Sequence, residues 1–244
     1  MQELAKQARS LIGIRLTTGQ LNNLSIFEQE LLNWNAQVNL TAIKEPEQIR
    51  VKHFLDSLTC LLVMGNPGNE RIIDVGTGAG FPGLPLKIVT PSIQLTLLES
   101  VRKKTDFCSH VIQKLGLNGA EVICERAEAL GQDPGHRQRY DWALARAVSI
   151  LPVLVEYLLP LVHVGGTVIA MKGEGAPVET QNAEHAIKLL GGHLRKLIPV
   201  ILPGVVEQRY LVVIDKVAAT PDAYPRRVGL VTKHPLMEKK IKQS

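Results

Sequence analysis

Apolar residues recur along this chain at two different spacings. Over residues 1–63 they fall three or four positions apart, as in Leu24, Phe27 and Leu31, which is the spacing of amphipathic helices. A cluster rich in glycine, asparagine and proline at 65–69 ends this pattern and indicates a turn. The pattern therefore predicts a helical cap at the N-terminus, separated by a turn from the region that follows.

Beyond this turn, short apolar segments alternate with amphipathic helical segments. The strand-like segments lie at 71–75, 94–99, 121–125, 141–145 and 167–171, and the helix-like segments at 84–89, 101–115, 150–162 and 178–190. Strands joined through helices form right-handed crossovers, which give a parallel sheet covered on both faces. Two further strand-like segments, 194–201 and 208–215, are joined by a short Pro-Gly connection and predict an antiparallel pair. We therefore expect a doubly wound α/β fold, mostly parallel with an antiparallel edge strand.

The predicted organisation has three parts: a helical cap over 1–63, a sheet domain over 64–218 and a basic tail over 219–244. From residue 224 onward the chain carries six basic residues against one acidic residue, which accounts for its whole formal net charge of +5. Such a segment favours a polyanionic partner, because basic side chains displace counterions from phosphates. A tail that only increases solubility is the alternative.

Composition narrows the class of protein. Apolar residues make up 45% of the 244 residues and charged residues 21%, which is typical of a globular protein and excludes a disordered or collagen-like chain. We expect no membrane anchor, because no apolar segment is long enough to cross a bilayer and the N-terminus lacks a secretory signal. Cys60, Cys108 and Cys124 have no C-x-x-C spacing, so we expect reduced structural thiols, a cytoplasmic location and no metal ion.

The segment IIDVGTGAGFPG at 72–83 carries the strongest chemical signal. It follows the first strand and opens a helix, and its glycines permit positive φ and close approach of a ligand to the backbone. The loop therefore predicts a nucleoside site at the carboxyl edge of the sheet. Gly78, Gly80 and Gly83 can be read as the G-x-G-x-x-G motif of dinucleotide-binding proteins, so an NAD- or FAD-dependent oxidoreductase is one alternative. That register, however, leaves Asp74 without a role.

Polar residues at the ends of the next strands supply further candidates. Glu99 ends the second strand, where a carboxylate accepts hydrogen bonds from ribose hydroxyls. Ala127 and Glu128 follow the third strand. Arg146 ends the fourth strand, and its planar guanidinium can hold a carboxylate, a phosphate or the edge of a base.

Together these residues resemble one family. The pattern from Asp74 to Gly80 resembles motif I of class I S-adenosylmethionine-dependent methyltransferases, and the whole set resembles the ribosomal RNA small subunit methyltransferase G family. The resemblance spans nearly the whole chain and rests on Asn35, residues 39–41, 52–58, 74–83, 98–100, 126–128, 146–148, 171–173 and 224–227. One departure is Lys52, where the family usually has arginine.

The resemblance implies a class I methyltransferase fold and methyl transfer from S-adenosyl-L-methionine to N7 of one guanine in bacterial 16S ribosomal RNA. The implied partner is this RNA in the small ribosomal subunit or its assembly intermediate, and we expect a monomer. The implied cofactor contacts are Gly76, Phe81, Glu99, Ala127, Glu128 and Arg146, with Ser100 and Val101 in the turn beside Glu99. For RNA contacts, the candidates are Arg226, Arg227, Lys233 and Lys172.

Features that are absent from the sequence are also consistent with methylation at N7. Guanine N7 carries a free lone pair, so its methylation needs no general base, and we name no acid–base residue; catalysis can rest on holding the reactants in line. The Asn/Asp-Pro-Pro-aromatic motif of amine methylases does not follow the fourth strand, where residues 145–148 read ARAV. A ribosome assembly factor that binds the cofactor without turnover is a further alternative.

Overall fold

The computed structural model describes residues 1–237 of the chain. Its N-terminal part is helical, as predicted, and consists of α1 (Gln2–Ile12), α2 (Thr18–Val38), α3 (Pro46–Ile49), a π-helical turn (Arg50–Leu55), α4 (Asp56–Leu58) and α5 (Leu61–Met64). A capping box begins α2: the Thr17 hydroxyl accepts a hydrogen bond from the Gln20 backbone N–H, and the Gln20 side chain accepts one from the Thr17 N–H. Sequence periodicity did not predict the π-helical turn, a feature that is frequent at functional sites.

Seven strands form one sheet, in the order β3-β2-β1-β4-β5-β7-β6. They are β1 (Arg71–Val75), β2 (Gln94–Glu99), β3 (Ala120–Cys124), β4 (Tyr140–Arg146), β5 (Val162–Lys172), β6 (Gly192–Val200) and β7 (Arg209–Lys216). The first five run parallel, while β7 lies between β5 and β6 and is antiparallel to both. The mostly parallel fold with an antiparallel pair at one edge is thus confirmed, with β7 as the reversed strand.

Helices cover both faces of this sheet. They are α6 (Gly83–Val89), α7 (Arg102–Leu115), α8 (Ala127–Leu130), α9 (Leu151–Leu158), α10 (Ala176–Leu189) and the short α11 (Leu230–Lys233). The predicted helix over 150–162 is too long, since α9 ends at Leu158 and β5 already begins at Val162. The reason is that apolar residues continue from the helix through the turn into the strand, so the pattern contains no break at the true boundary.

The N-terminal cap shares a core with one face of the sheet. Phe27 of α2 is fully buried, and its ring centroid lies 5.4 Å from that of Phe54, 5.2 Å from that of Phe81 and 6.1 Å from that of Phe107. Phe81 follows the glycine-rich loop and Phe107 belongs to α7. Aromatic contacts of this kind fix the cap against the loop that the sequence singled out.

The described part of the basic tail packs on the opposite face of the sheet. Val231 is fully buried there, among residues of α9 and the sheet. The Arg226 guanidinium donates to both carboxylate oxygens of Glu156 in α9, at 2.9 and 2.7 Å, and Glu156 has no exposed surface. The predicted tail is therefore packed against α9 and the sheet as far as residue 231. Its remaining lysines at 239, 240 and 242 lie outside the described residues.

Over residues 1–237, none of the helices has the length and apolar character needed to cross a membrane.

Candidate functional site

The glycine-rich loop leaves β1 in a left-handed backbone conformation. Gly76, Gly78 and Gly80 have φ of +69°, +60° and +89°. At Gly76 the space is also restricted, because a Cβ atom would lie 2.6 Å from Cγ2 of Val148. A side chain is excluded there by both backbone conformation and sterics.

Asp74 holds this loop from beneath. Its carboxylate is fully buried, and Oδ2 accepts hydrogen bonds from the Thr77 hydroxyl at 2.6 Å and from the Gly83 backbone N–H at 2.8 Å. Burial raises the pKa of Asp74 to about 6. Gly83 is the first residue of α6, so the helix N-terminus that would receive a pyrophosphate in a dinucleotide fold already contacts a carboxylate. This contact opposes the dinucleotide interpretation.

Glu99 connects the loop to the next strand end. Its Oε2 accepts from the Gly78 N–H at 3.1 Å and its Oε1 from the Val101 N–H at 2.9 Å. Val101 thus contributes through its backbone, while its side chain is exposed. The carboxylate is held in one orientation at the carboxyl end of β2.

A cavity of about 250 Å³ lies at the carboxyl ends of β1, β2 and β3, and we call it the β1–β3 cavity. Five of the predicted cofactor residues line it together: Gly76, Glu99, Ser100, Ala127 and Glu128. Glu128 is buried, and one of its oxygens accepts from the Tyr157 hydroxyl at 3.4 Å and from the Gly229 N–H at 3.2 Å. The structure therefore gathers residues from three strand ends around one space.

Three of the predicted cofactor residues, Phe81, Val101 and Arg146, do not line this cavity, but Phe81 and Arg146 contact each other. The Arg146 guanidinium carbon is 5.1 Å from the centroid of the Phe81 ring, and the His53 ring stacks on Phe81 with centroids 4.5 Å apart. Arg146 also donates to Oδ2 of Asp56 at 2.8 Å and to the Lys52 carbonyl at 3.0 Å. The π-helical turn and the start of α4 thus hold the arginine in place.

His53 completes this support in its neutral form. Burial and the Arg146 charge lower the pKa of His53 to about 3. Its Nδ1 accepts from Arg146 at 3.1 Å, so Nε2 carries the proton and donates to the Thr41 hydroxyl at 2.8 Å. Asn35 in turn binds the backbone of Thr41 with two hydrogen bonds of 2.9 Å. The N-terminal motif residues therefore form a scaffold behind Arg146, a role that sequence reasoning missed.

A second cavity, of about 340 Å³, opens at the carboxyl ends of β4 and β5 and the start of β7, and we call it the β4–β7 cavity. It is lined by His53, Asp56 and Arg146 on one side and by Lys172 and Arg209 on another. Ala147 lines both cavities, at a φ of +56° that is uncommon for a residue with a side chain. The two spaces adjoin at this residue.

The predicted RNA contacts divide into two groups. Lys172 donates to the Ser149 carbonyl and to Glu179, both at 2.7 Å, and Arg226 is paired with buried Glu156. Each cation is already paired with a carboxylate, buried for Glu156 and partly exposed for Glu179, which argues against phosphate contacts by these two residues. Arg227 and Lys233 are exposed and have no side-chain partner within the described residues.

The cysteines differ in their surroundings. Cys60 and Cys108 are buried, and burial raises the pKa of both thiols, whereas Cys124 is exposed on β3. The expectation of three structural thiols is therefore wrong for Cys124. Within residues 1–237 no group of three or more histidine, cysteine or acidic side chains has an arrangement that would hold a metal ion.

The residues of the β1–β3 cavity fit S-adenosylmethionine. The glycine loop offers close backbone approach, and Glu99 is a hydrogen-bond acceptor for hydroxyls. The lining also includes Glu125 and Glu128, so its three acidic residues outnumber its two basic ones, Lys104 and Arg126, a balance that suits a cationic ligand. The buried Oδ1 of Asp74 also lacks a hydrogen-bond partner among the described residues.

The family model and the most similar curated proteins name the same family. Residues 20–201 match the family model described as rRNA small subunit methyltransferase G. Ribosomal RNA small subunit methyltransferase G of Roseiflexus castenholzii is 48% identical over 237 residues, covering 97% of this chain and all of the relative. The protein of that name from Dehalococcoides mccartyi strain CBDB1 is 46% identical over 228 residues, covering 93% of this chain and 97% of the relative.

Solved structures agree on the fold. A S-adenosylmethionine-dependent methyltransferase from Aquifex aeolicus has a TM-score of 0.55 at 16% identity, covering 72% of this chain and 96% of that one. A S-adenosylmethionine-dependent O-methyltransferase from Thermotoga maritima has a TM-score of 0.53 at 15% identity, covering 78% and 72%. The oxidoreductase alternative is left without support. The chain belongs to the rRNA small subunit methyltransferase G family and is an S-adenosylmethionine-dependent methyltransferase.

Proposed function

We propose that this enzyme methylates N7 of one guanine in 16S ribosomal RNA, with the small ribosomal subunit or its assembly intermediate as the substrate. The observation that carries the choice of N7 is that proton acceptors lining the β4–β7 cavity are already hydrogen-bonded or paired with a cation. Both ring nitrogens of His53 are hydrogen-bonded, Asp56 is paired with Arg146, and Glu179 is paired with Lys172.

This arrangement suits a nucleophile that needs no deprotonation. An exocyclic amine must lose a proton when it is methylated, whereas N7 of guanine attacks with a free lone pair. Methylation of a pyrimidine at C5 would need a thiolate, but the Cys60 thiol is buried and its pKa is raised by that burial. The site therefore favours a ring nitrogen as the methyl acceptor.

The chain's own residues act by binding and orientation. Gly76, Glu99, Ala127 and Glu128 would hold the cofactor in the β1–β3 cavity. When bound, S-adenosylmethionine supplies a methyl group on a sulfonium, which passes to N7 with the sulfur retaining the electron pair of the broken bond. Arg146, held by Asp56, His53 and the Lys52 carbonyl, lies where the two cavities adjoin and fixes the alignment between them. Alignment of this kind accounts for a large part of a two-substrate rate enhancement.

A cytoplasmic location is part of this proposal. Ribosomal RNA is the substrate named for the relatives, and the chain's three cysteines are free thiols.

Transfer of radiolabel tests the proposal directly. Small subunits from a strain that lacks this activity are incubated with the enzyme and methyl-labelled S-adenosylmethionine, and the RNA is then digested to nucleosides. Label in 7-methylguanosine is the expected result. Label in another nucleoside would contradict N7, and cofactor binding without any label would favour a non-catalytic assembly factor.

A further inference from the structure

Among the described residues, two buried side-chain polar atoms have no hydrogen-bond partner: Oδ1 of Asp74 and Nε of Arg209. The first lies under the glycine-rich loop and belongs to the cofactor region. The second lies in a residue that lines the β4–β7 cavity, more than 60 positions from any residue assigned to the cofactor. A buried donor left without an acceptor is costly, so such atoms call for an explanation in a ligand.

Chain topology places Arg209 at the reacting edge of the sheet. It is the first residue of β7, and because β7 is reversed, its start lies at the carboxyl ends of β4 and β5. The neighbouring Tyr210 pairs with Lys172, the last residue of β5. In a doubly wound sheet, ligands bind at this edge on either side of the point where the strand order reverses, here between β1 and β4.

The walls of the β4–β7 cavity have the character of a site for a planar base. Met171, Val200 and Leu211 supply buried apolar surface. Among the charged side chains of the lining, Asp56 is paired with Arg146 and Glu179 with Lys172, whereas the Arg209 guanidinium has no side-chain partner among the described residues. Enzymes that modify a base within RNA take that base out of the stack into a pocket of this type and recognise its edge by hydrogen bonds. The volume of about 340 Å³ is within the range of small-molecule sites.

We propose that the β4–β7 cavity receives the target guanine and that the Arg209 guanidinium, which has no hydrogen-bond partner among the described residues, donates a hydrogen bond to O6 of that base. This assignment rests on the proposed function and adds the residue that selects the base. O6 lies beside N7 on the guanine edge, so a base with N7 directed towards Ala147 and the cofactor presents O6 within the same cavity. Adenine has an amino group in place of O6, so its N–H would face the Arg209 N–H and no hydrogen bond would form between these two donors. Arg209 therefore discriminates guanine from adenine.

The test combines a protein variant with a base analogue. Arg209→Met keeps most of the apolar stem and removes the donor, and 2-aminopurine at the methylated position keeps N7 and lacks O6. Cofactor affinity is measured by calorimetry, and kcat/KM for methylation is measured with small subunits reconstituted from guanine- or 2-aminopurine-containing RNA. Arg195→Met is the matched control, since Arg195 lies on β6, pairs with Asp215 and lines neither cavity.

For the wild type we expect kcat/KM to fall about 10- to 100-fold when 2-aminopurine replaces guanine, the effect of losing a hydrogen bond from a charged donor. Arg209→Met should show that same loss with guanine, almost no further loss with 2-aminopurine, and unchanged cofactor affinity. Arg195→Met should behave as the wild type. Should Arg209→Met prove unstable, Arg209→Leu, which also lacks a donor, serves in its place.

Two outcomes would overturn the assignment in distinguishable ways. If Arg209→Met still distinguishes guanine from 2-aminopurine as the wild type does, Arg209 does not contact O6, and the proposed function stands. If the wild type forms no 7-methylguanosine on the guanine-containing subunit, the proposed function is wrong and this assignment falls with it.

Discussion

Replacing Arg226 by alanine removes the partner of a carboxylate that has no contact with solvent. Glu156 accepts three hydrogen bonds from Arg226: one from its backbone N–H at 2.8 Å and two from its guanidinium at 2.9 and 2.7 Å. The variant retains only the first. Because a buried charge without its partner keeps its desolvation penalty, removing one member of such a pair costs about 3–5 kcal/mol.

A loss of this size is a large fraction of total stability, which is about 5–15 kcal/mol for a folded domain. For a chain of this length each kcal/mol lowers Tm by about 2–4 °C, so Arg226→Ala should lower Tm by roughly 6–20 °C. Urea titration monitored by circular dichroism gives the free energy of unfolding. An unchanged slope m shows that the variant exposes as much surface on unfolding as the wild type does.

The neighbouring residue provides the control. Arg227 is exposed and has no side-chain partner among the described residues, so Arg227→Ala should change stability by no more than about 0.5 kcal/mol. The double variant Arg226→Met/Glu156→Leu should recover a large part of the loss, since it removes both charges together. A loss below about 1 kcal/mol for Arg226→Ala would show that the Glu156 carboxylate does not depend on this partner.

Three further predictions concern the site and the tail. Gly76→Val should abolish S-adenosylmethionine binding, measured by calorimetry, because its Cβ would meet Val148. Gly78→Ala, with open space around its Cα, should cost only about 1–2 kcal/mol of backbone strain. Binding by the Gly76→Val variant would show that the site is misplaced. Burial raises the pKa of Asp74 to about 6, against about 3.9 in the unfolded chain, so the folded protein binds this proton more tightly. Protonation of Asp74 therefore increases the free energy of unfolding as pH falls from 6 towards 4, by about 3 kcal/mol in full, and contributes nothing above pH 6. Asp74→Asn should lack that component, and an identical pH dependence of unfolding for both proteins would contradict the raised pKa. Replacing Arg227 and Lys233 together by alanine should shallow the logarithmic salt dependence of RNA binding by about 1.4 units if both contact phosphates of single-stranded RNA, and an unchanged slope would assign them to solubility.

Patterns within short stretches of sequence predicted much of this molecule. The alternation of strands and helices gave the sheet, since burial of a strand or helix face depends on residues close together in the chain. The glycine loop and Glu99 were recognisable for the same reason, because each lies immediately after a strand whose position the pattern indicates. The resemblance to a family carried the assignment from a nucleoside site to a methyltransferase.

Contacts between distant segments were not predictable in the same way. Arg146 is held by Asp56, 90 positions earlier, and Arg226 by Glu156, 70 positions earlier. In the sequence, both arginines are equally consistent with ligand binding and with internal pairing, because charge alone does not specify a partner. The π-helical turn at Arg50–Leu55 is hidden as well, since its residues fit an ordinary amphipathic helix.

The position of residues 226–231 has a consequence for the order in which the enzyme is made. They follow the glycine-rich loop by some 150 positions, yet Gly229 contacts Glu128 in the wall of the β1–β3 cavity and Arg226 neutralises Glu156 behind it. A nascent chain that ends at residue 218 contains the seven strands described above and every predicted cofactor residue, but Glu156 then lacks its counter-charge. Completion of the β1–β3 cavity therefore waits for residues 226–231, so that a growing chain gains the finished cavity only after the segment that includes Val231 has left the ribosome on which it is made.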